Sequence, residues 1–226
     1  MVMTKTTRND RAADRQENRD RLLTAALPHI AFDGWTEKAF QTGIAHSGMQ
    51  TSDFRRYFPG GVADAIDHFS DWADRQMEAK LGECNLDELA VRRRVATAVR
   101  LRFESLTPYR EAVRWTLSLL SLPVNLALGA RCLYRTVDCI WHAIGDRSVD
   151  FNFYTKHALL AGVVSATTLY WLDDTSENSE DSWSFLDRRI EDVMRVPKLT
   201  KRLRSTLSRL PDPLGVLRSR RNRQAI

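Results

Sequence analysis

Apolar residues recur at intervals of three and four along most of the chain, which is the spacing of one face of an α-helix. No segment shows the alternation of apolar and polar residues that predicts a strand. The first periodic segment spans residues 14–32, and the succession continues to about residue 210. Ten glycines and seven prolines also favour helices over a turn-rich sheet protein. The pattern predicts an all-α bundle of about nine helices followed by a C-terminal amphipathic helix.

Start and stop signals divide this succession. Gly34 ends the first helix, Thr36 can cap the second, and the Pro59-Gly60-Gly61 run ends the third. Pro197 predicts a fresh helix start after a ninth helix at 182–193. The predicted domains are a helix-turn-helix-like bundle at 14–81, a second helical domain at 86–193, an amphipathic helix at 197–210 and a basic, disordered tail at 211–226.

Acidic residues are expected on the outer face of the fourth helix, which runs from about Val62 to Leu81, while its apolar residues face inward. These acidic residues are Asp64, Asp67, Asp71 and Asp74. The connector at 173–181 is also acidic and rich in serine, and it is expected to be solvated and to hold no site.

The basic charge is concentrated at the C-terminus. Residues 194–226 hold ten Lys or Arg against one acid, a net +9, so the preceding residues carry −4 of the chain's net +5. A basic tail on a mildly acidic body indicates a polyanionic partner, either a lipid headgroup surface or a nucleic acid. No uncharged stretch reaches the ~20 residues needed to span a bilayer, and no apolar leader is visible near the N-terminus.

The predicted helix at 197–210 carries its leucines on one stripe and its basic residues on the remaining arc, a pattern typical of interfacial membrane helices. A surface helix packed on the body through its leucines is the alternative. The candidate membrane-binding residues are Val196, Lys198, Leu199, Lys201, Arg202, Leu203, Arg204, Leu207, Arg209 and Leu210.

The sequence offers no catalytic or metal-binding motif. The five histidines form no HExxH or Glu-x-x-His pair, and no Gly-rich phosphate loop or nucleophile elbow is present. Asp138 and His142 lie four residues apart, which more simply indicates an intrahelical contact. Cys132 and Cys139 lie seven apart on one helical face and are expected to be core residues in a reducing compartment. We therefore expect no enzyme, no metal and no cofactor.

The segments LLTAALPHIAFDGW, KAFQTGIAHSGM and TSDFRRYFPGGVADAI resemble the helix-turn-helix head of tetracycline-repressor-type proteins. That resemblance implies the fold more strongly than it implies DNA binding. The position of the recognition helix carries Asp53 beside Arg55 and Arg56, and the acidic fourth helix would repel phosphates. A ligand-responsive transcription factor remains the main rival interpretation, and an inert helical scaffold is a second.

The second half resembles the ubiquinone-biosynthesis lipid-binding accessory protein family, coenzyme Q protein nine, over roughly residues 20–210. Asp150 to Lys156 match the family's acid–aromatic-Tyr-Thr-basic segment, with Phe153 where a tryptophan is usual and His157 where a second basic residue is common. A second motif is matched by Asp174, Ser176, Trp183, Phe185, Leu186, Arg189, Ile190 and Asp192.

The resemblance implies a repressor-like homodimer that binds an isoprenoid lipid or quinone precursor and presents it to the di-iron hydroxylase of the pathway. It also implies peripheral attachment to an anionic membrane, which we expect on the cytoplasmic face. By themselves, the apolar later helices fit a filled core, a dimer interface or a cavity. The candidate lipid-binding residues are Trp115, Leu119, Leu122, Leu133, Val137, Ile140, Leu160, Val163, Val164 and Thr167.

Aromatic and charged residues gather around the loop before the eighth helix, and such mixtures make good interface anchors. A capped helix start with buried aromatics is the alternative. The candidate partner-surface residues are Trp141, Asp146, Asp150, Phe153, Tyr154, Lys156 and His157.

Overall fold

The structure is a computed structural model that describes the backbone of residues 8–145 and 152–207 and the side chains of residues 10–145 and 155–193. These residues form helices without a strand, so the all-α prediction is confirmed. Their bounds are α1 Arg8–Asp33, α2 Glu37–Ser47, α3 Asp53–Tyr57, α4 Gly61–Gly82, α5 Val91–Leu106, α6 Arg110–Leu120, α7 Leu126–Ala143, α8 Asn152–Asp173 and α9 Glu180–Leu207. Short 3-10 turns precede α6, α7 and α9.

The first four helices form a compact head around an aromatic core. The Thr36 hydroxyl accepts a hydrogen bond from the Ala39 amide and caps α2, as predicted. The ring centroids of Phe40 and Phe54 lie 4.7 Å apart, and Phe58 packs against both rings. Because α1 also packs along α6, the head is joined to the rest of the bundle by its longest element.

The later helices surround a second core region. Helix α4 packs against α5 and α7, and α8 packs against α7 and α9. Helix α5 also contacts α9. Since α8 is apolar around much of its circumference, it needs neighbours on several sides, and α6, α7 and α9 supply them.

Two element bounds differ from the sequence expectation. Helix α9 runs without interruption to Leu207, so its backbone passes through Pro197, where a new helix was predicted. An interior proline removes one backbone hydrogen bond and costs about 3 kcal/mol. Helix α9 nonetheless continues on both sides of Pro197. Helix α1 begins earlier than predicted and includes Pro28 in the same way.

The expectation for the acidic face of α4 was wrong at one position. Asp74 is only 3% exposed and lies inside the bundle. The other three acids are paired with basic side chains: Asp64 with Arg19 at 2.6 Å, Asp67 with Arg131 and Arg135, and Asp71 with Arg75. The face is therefore an ion-paired seam between helices.

The connector between α8 and α9 is built around Asp174, which is buried. Its carboxylate accepts the backbone amides of Ser176 at 2.8 Å and Ser182 at 2.9 Å, together with the Ser182 hydroxyl. Arg110 of α6 donates to the Asp174 carbonyl at 2.6 Å. The expected solvated connector is thus a fixed corner that sets where α9 starts.

Within the described residues, no single helix has both the length and the apolar character of a membrane span. In the same described part, the segments Val91–Leu120 and Pro123–Ala143, which meet at a bend of 99°, together have the length and apolar composition of a span.

Replacing Asp174 by alanine should destabilise the protein by about 1–3 kcal/mol, because buried donors of Ser182 and Ser176 lose their acceptor. Burial by itself would raise the pKa of Asp174, but the hydrogen bonds from Ser176 and Ser182 outweigh it and lower the pKa to about 2. This contribution is present above the unfolded-state pKa and is lost as the pH falls from about 4 towards 2. Urea unfolding at pH 7 and pH 3 measures both effects.

The neighbouring Asp173 provides the matched control, since its side chain is 81% exposed and, within the described part of the chain, pairs with Arg114 alone. Asp173→Ala should cost about 0.5 kcal/mol or less. Equal losses for the two variants would show that Asp174 does not organise the corner.

Candidate functional site

A cavity of about 370 Å³ lies among α4, α5, α6, α7 and α8. Its wall is mostly apolar, and each of the five helices contributes to it. The apolar lining residues are Ile66, Phe69, Ala73, Leu106, Val113, Leu117, Leu120, Gly129, Leu133, Val164 and Leu169. At about 30 Å³ per water, the space would hold roughly a dozen water molecules if it were filled by solvent.

The cavity has a mouth between the α6–α7 turn and α8. Three residues of its lining are exposed: Ser121 at the turn, and Ser165 and Leu169 on α8. Leu169 is 63% exposed and lies at the rim of the cavity. An apolar compound can therefore enter from the surface without unfolding the bundle.

One wall of the cavity is polar and is centred on Arg102 of α5. The Arg102 Nε donates to the Asp74 carboxylate at 2.7 Å, and Nη2 reaches the hydroxyls of Ser70 at 3.4 Å and Thr136 at 3.3 Å. The Thr136 hydroxyl itself donates to Asp74. Among the described residues, Nη1 of Arg102 and the Ser70 hydroxyl proton have no acceptor. The wall thus offers donors to a ligand oxygen.

Asp74 and its partners tie three helices together. The carboxylate on α4 meets Arg102 on α5, and Thr136 and Arg135 on α7, with Arg135 Nε at 3.8 Å. Burial raises the pKa of Asp74, and the hydrogen bonds and charges of Arg102 and Thr136 offset only part of that rise. A buried carboxylate without these partners would be costly, so the cluster fixes the spacing of the helices that form the cavity.

The cavity differs from the one predicted from sequence. Of the ten candidate lipid-binding residues, only Leu133 and Val164 line it. Five others are buried in packed parts of the bundle: Val137, Ile140, Leu160, Val163 and Thr167. Leu119 is partly buried, while Trp115 and Leu122 are 42% and 46% exposed. Helical periodicity identified apolar residues correctly but could not separate those facing a void from those facing a neighbour.

Arg102 and Ser70, which line the cavity, were not among the residues predicted from the sequence. Arg102 stands on the apolar face of α5, between Ala98 and Leu106, where a lone basic residue signals either burial with a partner or a polar contact inside a site. That signal is present in the sequence, but the sequence pattern predicts an outward-facing position on α4 for Asp74, the acidic partner of Arg102.

The candidate partner surface is described only in part. The Lys156 ammonium lies 5.5 Å from the centre of the Trp141 ring, and His157 is buried with Nε2 3.4 Å from Asp138. The His157 ring also stacks on Tyr134. The structure brings these side chains together, whereas Asp146 and Asp150, and the side chains of Phe153 and Tyr154, lie outside the described part.

The candidate membrane-binding residues are also outside the described side chains. The backbone of α9 continues to Leu207, and the side chains from residue 194 onward are not described. Arg209 and Leu210 lie beyond the described backbone.

The helix-turn-helix head directs its basic side chains to its own acids. Arg55 lies 3.1 Å from Glu37, and Arg56 lies 4.0 Å from Asp53. The recognition-helix position, α3, has only five residues. This arrangement does not favour DNA binding as a second function.

The two cysteines on α7 have little thiolate character. Burial raises the pKa of Cys132 to about 11, and burial likewise raises the pKa of Cys139. Within the described residues, no three His, Cys, Asp or Glu side chains are grouped to hold a metal ion. Asp138, for which the sequence indicated a contact with His142 on the same helix, lies 3.4 Å from Nε2 of His157 on α8.

Comparisons with known proteins agree on a family and a fold. A family model described as COQ9 matches residues 126–197. The chain is 35% identical over 193 residues to the mitochondrial ubiquinone biosynthesis protein COQ9 of Rattus norvegicus, and 33% identical to that of Homo sapiens. Each match covers 82% of this chain, but only 62% and 60% of the two relatives' own length. COQ9-B of Xenopus laevis is 31% identical over 84% of this chain and 67% of its own length.

The fold is similar to that of a solved TetR transcriptional regulator from Nitrosomonas europaea ATCC 19718. The TM-score is 0.64 at 20% sequence identity, and the superposition covers 78% of this chain and 97% of the regulator. The expected repressor-like fold is thereby confirmed.

Removing the buried carboxylate by Asp74→Ala should destabilise the protein by about 3–5 kcal/mol, because Arg102 would remain buried without its counter-charge. The double variant Asp74→Leu/Arg102→Met should recover most of that loss, since it removes both charges. Chemical denaturation gives both values. Asp71→Ala, which breaks the pair with Arg75 one turn away, should cost about 1 kcal/mol or less. A similar cost for Asp74→Ala and Asp71→Ala would contradict the assigned role.

Proposed function

Because the chain belongs to the COQ9 family, we propose that it acts in ubiquinone biosynthesis as a non-catalytic accessory protein. It binds an isoprenoid quinone precursor and presents it to the di-iron hydroxylase of the pathway. The observation that carries this proposal is the open cavity of about 370 Å³, apolar on most sides and polar on one. The relatives are named as ubiquinone biosynthesis proteins, which supports the pathway.

The cavity suits an amphiphile with an apolar tail and an oxygen-bearing head. Its volume lies within the roughly 300–1,000 Å³ range of ligand pockets. Each CH₂ group that leaves water contributes about 0.8 kcal/mol, so a few isoprene units supply most of the affinity. Arg102 Nη1 and the Ser70 hydroxyl can then donate to a carbonyl or phenol oxygen of the head.

The side chains around the cavity support binding better than catalysis. The high pKa of Cys132 leaves a protonated thiol at neutral pH, and a thiol is a weaker nucleophile than a thiolate. Asp74 is committed to Arg102 and Thr136 and is not placed to exchange protons with a ligand. We therefore assign the chemistry to the partner enzyme.

The surface proposed for the hydroxylase includes Trp141 and Lys156, whereas His157, predicted with them, is buried and does not face a partner protein. The cation–aromatic contact of Lys156 with Trp141 gives this surface a rigid anchor of the kind that dominates protein interfaces. Asp146, Asp150, Phe153 and Tyr154 complete the proposed surface.

Attachment to the membrane is proposed through residues 197–210, with their stripe of leucines and arc of basic residues. The protein would then be peripheral on an anionic membrane and act as a homodimer. The curated relatives are named as mitochondrial proteins.

Filling the cavity should expel its ligand. Val164→Trp places a large ring in the space beside α8, so solvent extraction and mass spectrometry should recover at least about tenfold less isoprenoid than from the unchanged protein. Ser184→Trp adds the same ring at an exposed position of α9 and should leave recovery unchanged. An unchanged protein that yields no lipid and also fails to take up added isoprenoid would refute carriage.

Reversing the charge of Lys201, Arg202 and Arg204 to glutamate should weaken flotation with vesicles that contain an anionic lipid. At about 1 kcal/mol per basic residue, losing three such contacts lowers partitioning at least about 100-fold. The Arg92→Glu/Arg93→Glu variant, which changes two exposed residues at the start of α5, is the control and should retain flotation. Persistent binding by the triple variant would contradict electrostatic attachment through this segment.

A further inference from the structure

The turn between α6 and α7 exposes three apolar side chains. Val124 is 84% exposed, Leu126 56% and Leu122 46%. Two aromatic residues extend this surface: Trp115 on α6, and Phe32 at the end of α1, which is 88% exposed. The Trp115 indole lies against Gly34 and donates to the Ala31 carbonyl, which brings the end of α1 beside α6. We call these five residues the apolar tip.

No charged residue interrupts this surface on α6 and α7. The sequence between Arg114 and Arg131 contains sixteen residues without a formal charge. Arg114 and Arg131, at its two ends, are 45% and 64% exposed. Clustered apolar exposure of this kind on a protein surface marks a contact site.

Three backbone amides of the turn are already hydrogen-bonded. The amides of Ser121, Leu122 and Asn125 donate to carbonyls of the turn and of α6, at 2.9, 3.3 and 2.9 Å, and Pro123 has no amide hydrogen. The Asn125 side chain also donates to the Leu119 carbonyl at 2.9 Å. These hydrogen bonds lower the cost of moving the turn towards an apolar phase.

The apolar tip is continuous with the cavity mouth. Leu120, Ser121 and Gly129 line the cavity and lie next to the exposed residues in sequence. Leu169 closes the other side of the mouth and is also exposed. A surface that covers the apolar tip therefore also covers the mouth of the cavity.

We propose that the apolar tip inserts into the interfacial layer of a phospholipid bilayer and so holds the cavity mouth against lipid. This inference rests on the proposed carriage of an isoprenoid, because contact between the cavity mouth and lipid matters only if the cavity takes up such a ligand. It concerns a contact separate from the basic segment at 197–210. Apolar side chains enter the acyl boundary and Trp115 lies at the headgroup level. Arg114 and Arg131, which are ion-paired with Asp173 and Asp67, mark the two ends of the uncharged stretch.

A bilayer fits this surface better than a protein partner does. The apolar tip presents no carboxylate and no basic residue of its own, so it offers little to specify one protein over another. The sixteen uncharged residues between Arg114 and Arg131 suit the acyl boundary of a bilayer, which asks for apolar side chains and for no charged partner. A second copy of the chain is the competing occupant, and it would make the burial of the apolar tip depend on protein concentration.

A fluorophore at residue 124 tests the insertion directly. The full chain carrying Cys84→Ser and Val124→Cys is labelled with NBD at neutral pH, where the raised pKa values of the buried Cys132 and the partly buried Cys139 keep both thiols protonated. On neutral phosphatidylcholine vesicles at high salt, the emission should shift to the blue and be quenched by lipids carrying a nitroxide on the acyl chain. The native Cys84, labelled in the otherwise unchanged protein, should show neither effect.

A paired mutagenesis experiment gives the second measurement. Val124→Asp/Leu126→Asp should lower partitioning onto neutral vesicles at least about tenfold, since it removes two inserted side chains. Val91→Asp, at a half-exposed valine of α5, is the matched control and should bind as before. Circular dichroism checks that each variant is folded.

The outcomes separate the two proposals. Absence of a spectral shift, or a shift without vesicles that grows with protein concentration, overturns insertion and in the second case assigns the surface to a second copy. If extraction recovers isoprenoid while the label stays in water, carriage stands and insertion fails. If the label inserts while the protein carries no lipid, insertion stands and carriage fails.

Discussion

A single buried carboxylate constrains the arrangement of the helices around the cavity. Asp74 lies inside the bundle, where an unpaired charge would be costly, and it is met by Arg102 from α5 and Thr136 from α7. These contacts link α4, α5 and α7 beside the cavity. The space that remains between them is apolar on most sides and keeps a polar wall.

The fixed corner at Asp174 has a related role at the other end of the bundle. It gathers the amides that start α9, while Arg110 ties the corner to α6. Helix α9 is thereby anchored by its N-terminal turn. The two polar junctions fix helices around the cavity and the start of α9.

Much of the fold could be predicted from the sequence because its signals are local. Period-3.6 spacing located the helices, and Thr36 and the Pro59-Gly60-Gly61 run set boundaries that depend only on nearby backbone. The break expected at Pro197 was wrong because a long helix can absorb one missing hydrogen bond.

The site could be predicted only in part, because it depends on which neighbour each helix face meets. Leu133 and Val164 were identified, but Val137 and Ile140, equally apolar, pack into the core. Arg102 and Asp74 were not predicted because a charged residue is normally expected on the surface. Each is buried here because its partner on another helix neutralises its charge. The exposure of the apolar tip could not be predicted either, because leucines with the same helical spacing are usually buried in a core and only the tertiary structure shows that these are exposed.

Methyl NMR of the full chain, titrated with a long-chain isoprenoid quinone, is the most direct test of the central claim that the cavity holds such a ligand. The account predicts saturable shifts confined to the methyl groups of the lining residues Leu106, Val113, Leu133 and Val164, with the core methyls of Leu22 and Leu27 unmoved. Shifts that avoid the lining residues, or that spread over the surface without saturating, would contradict it.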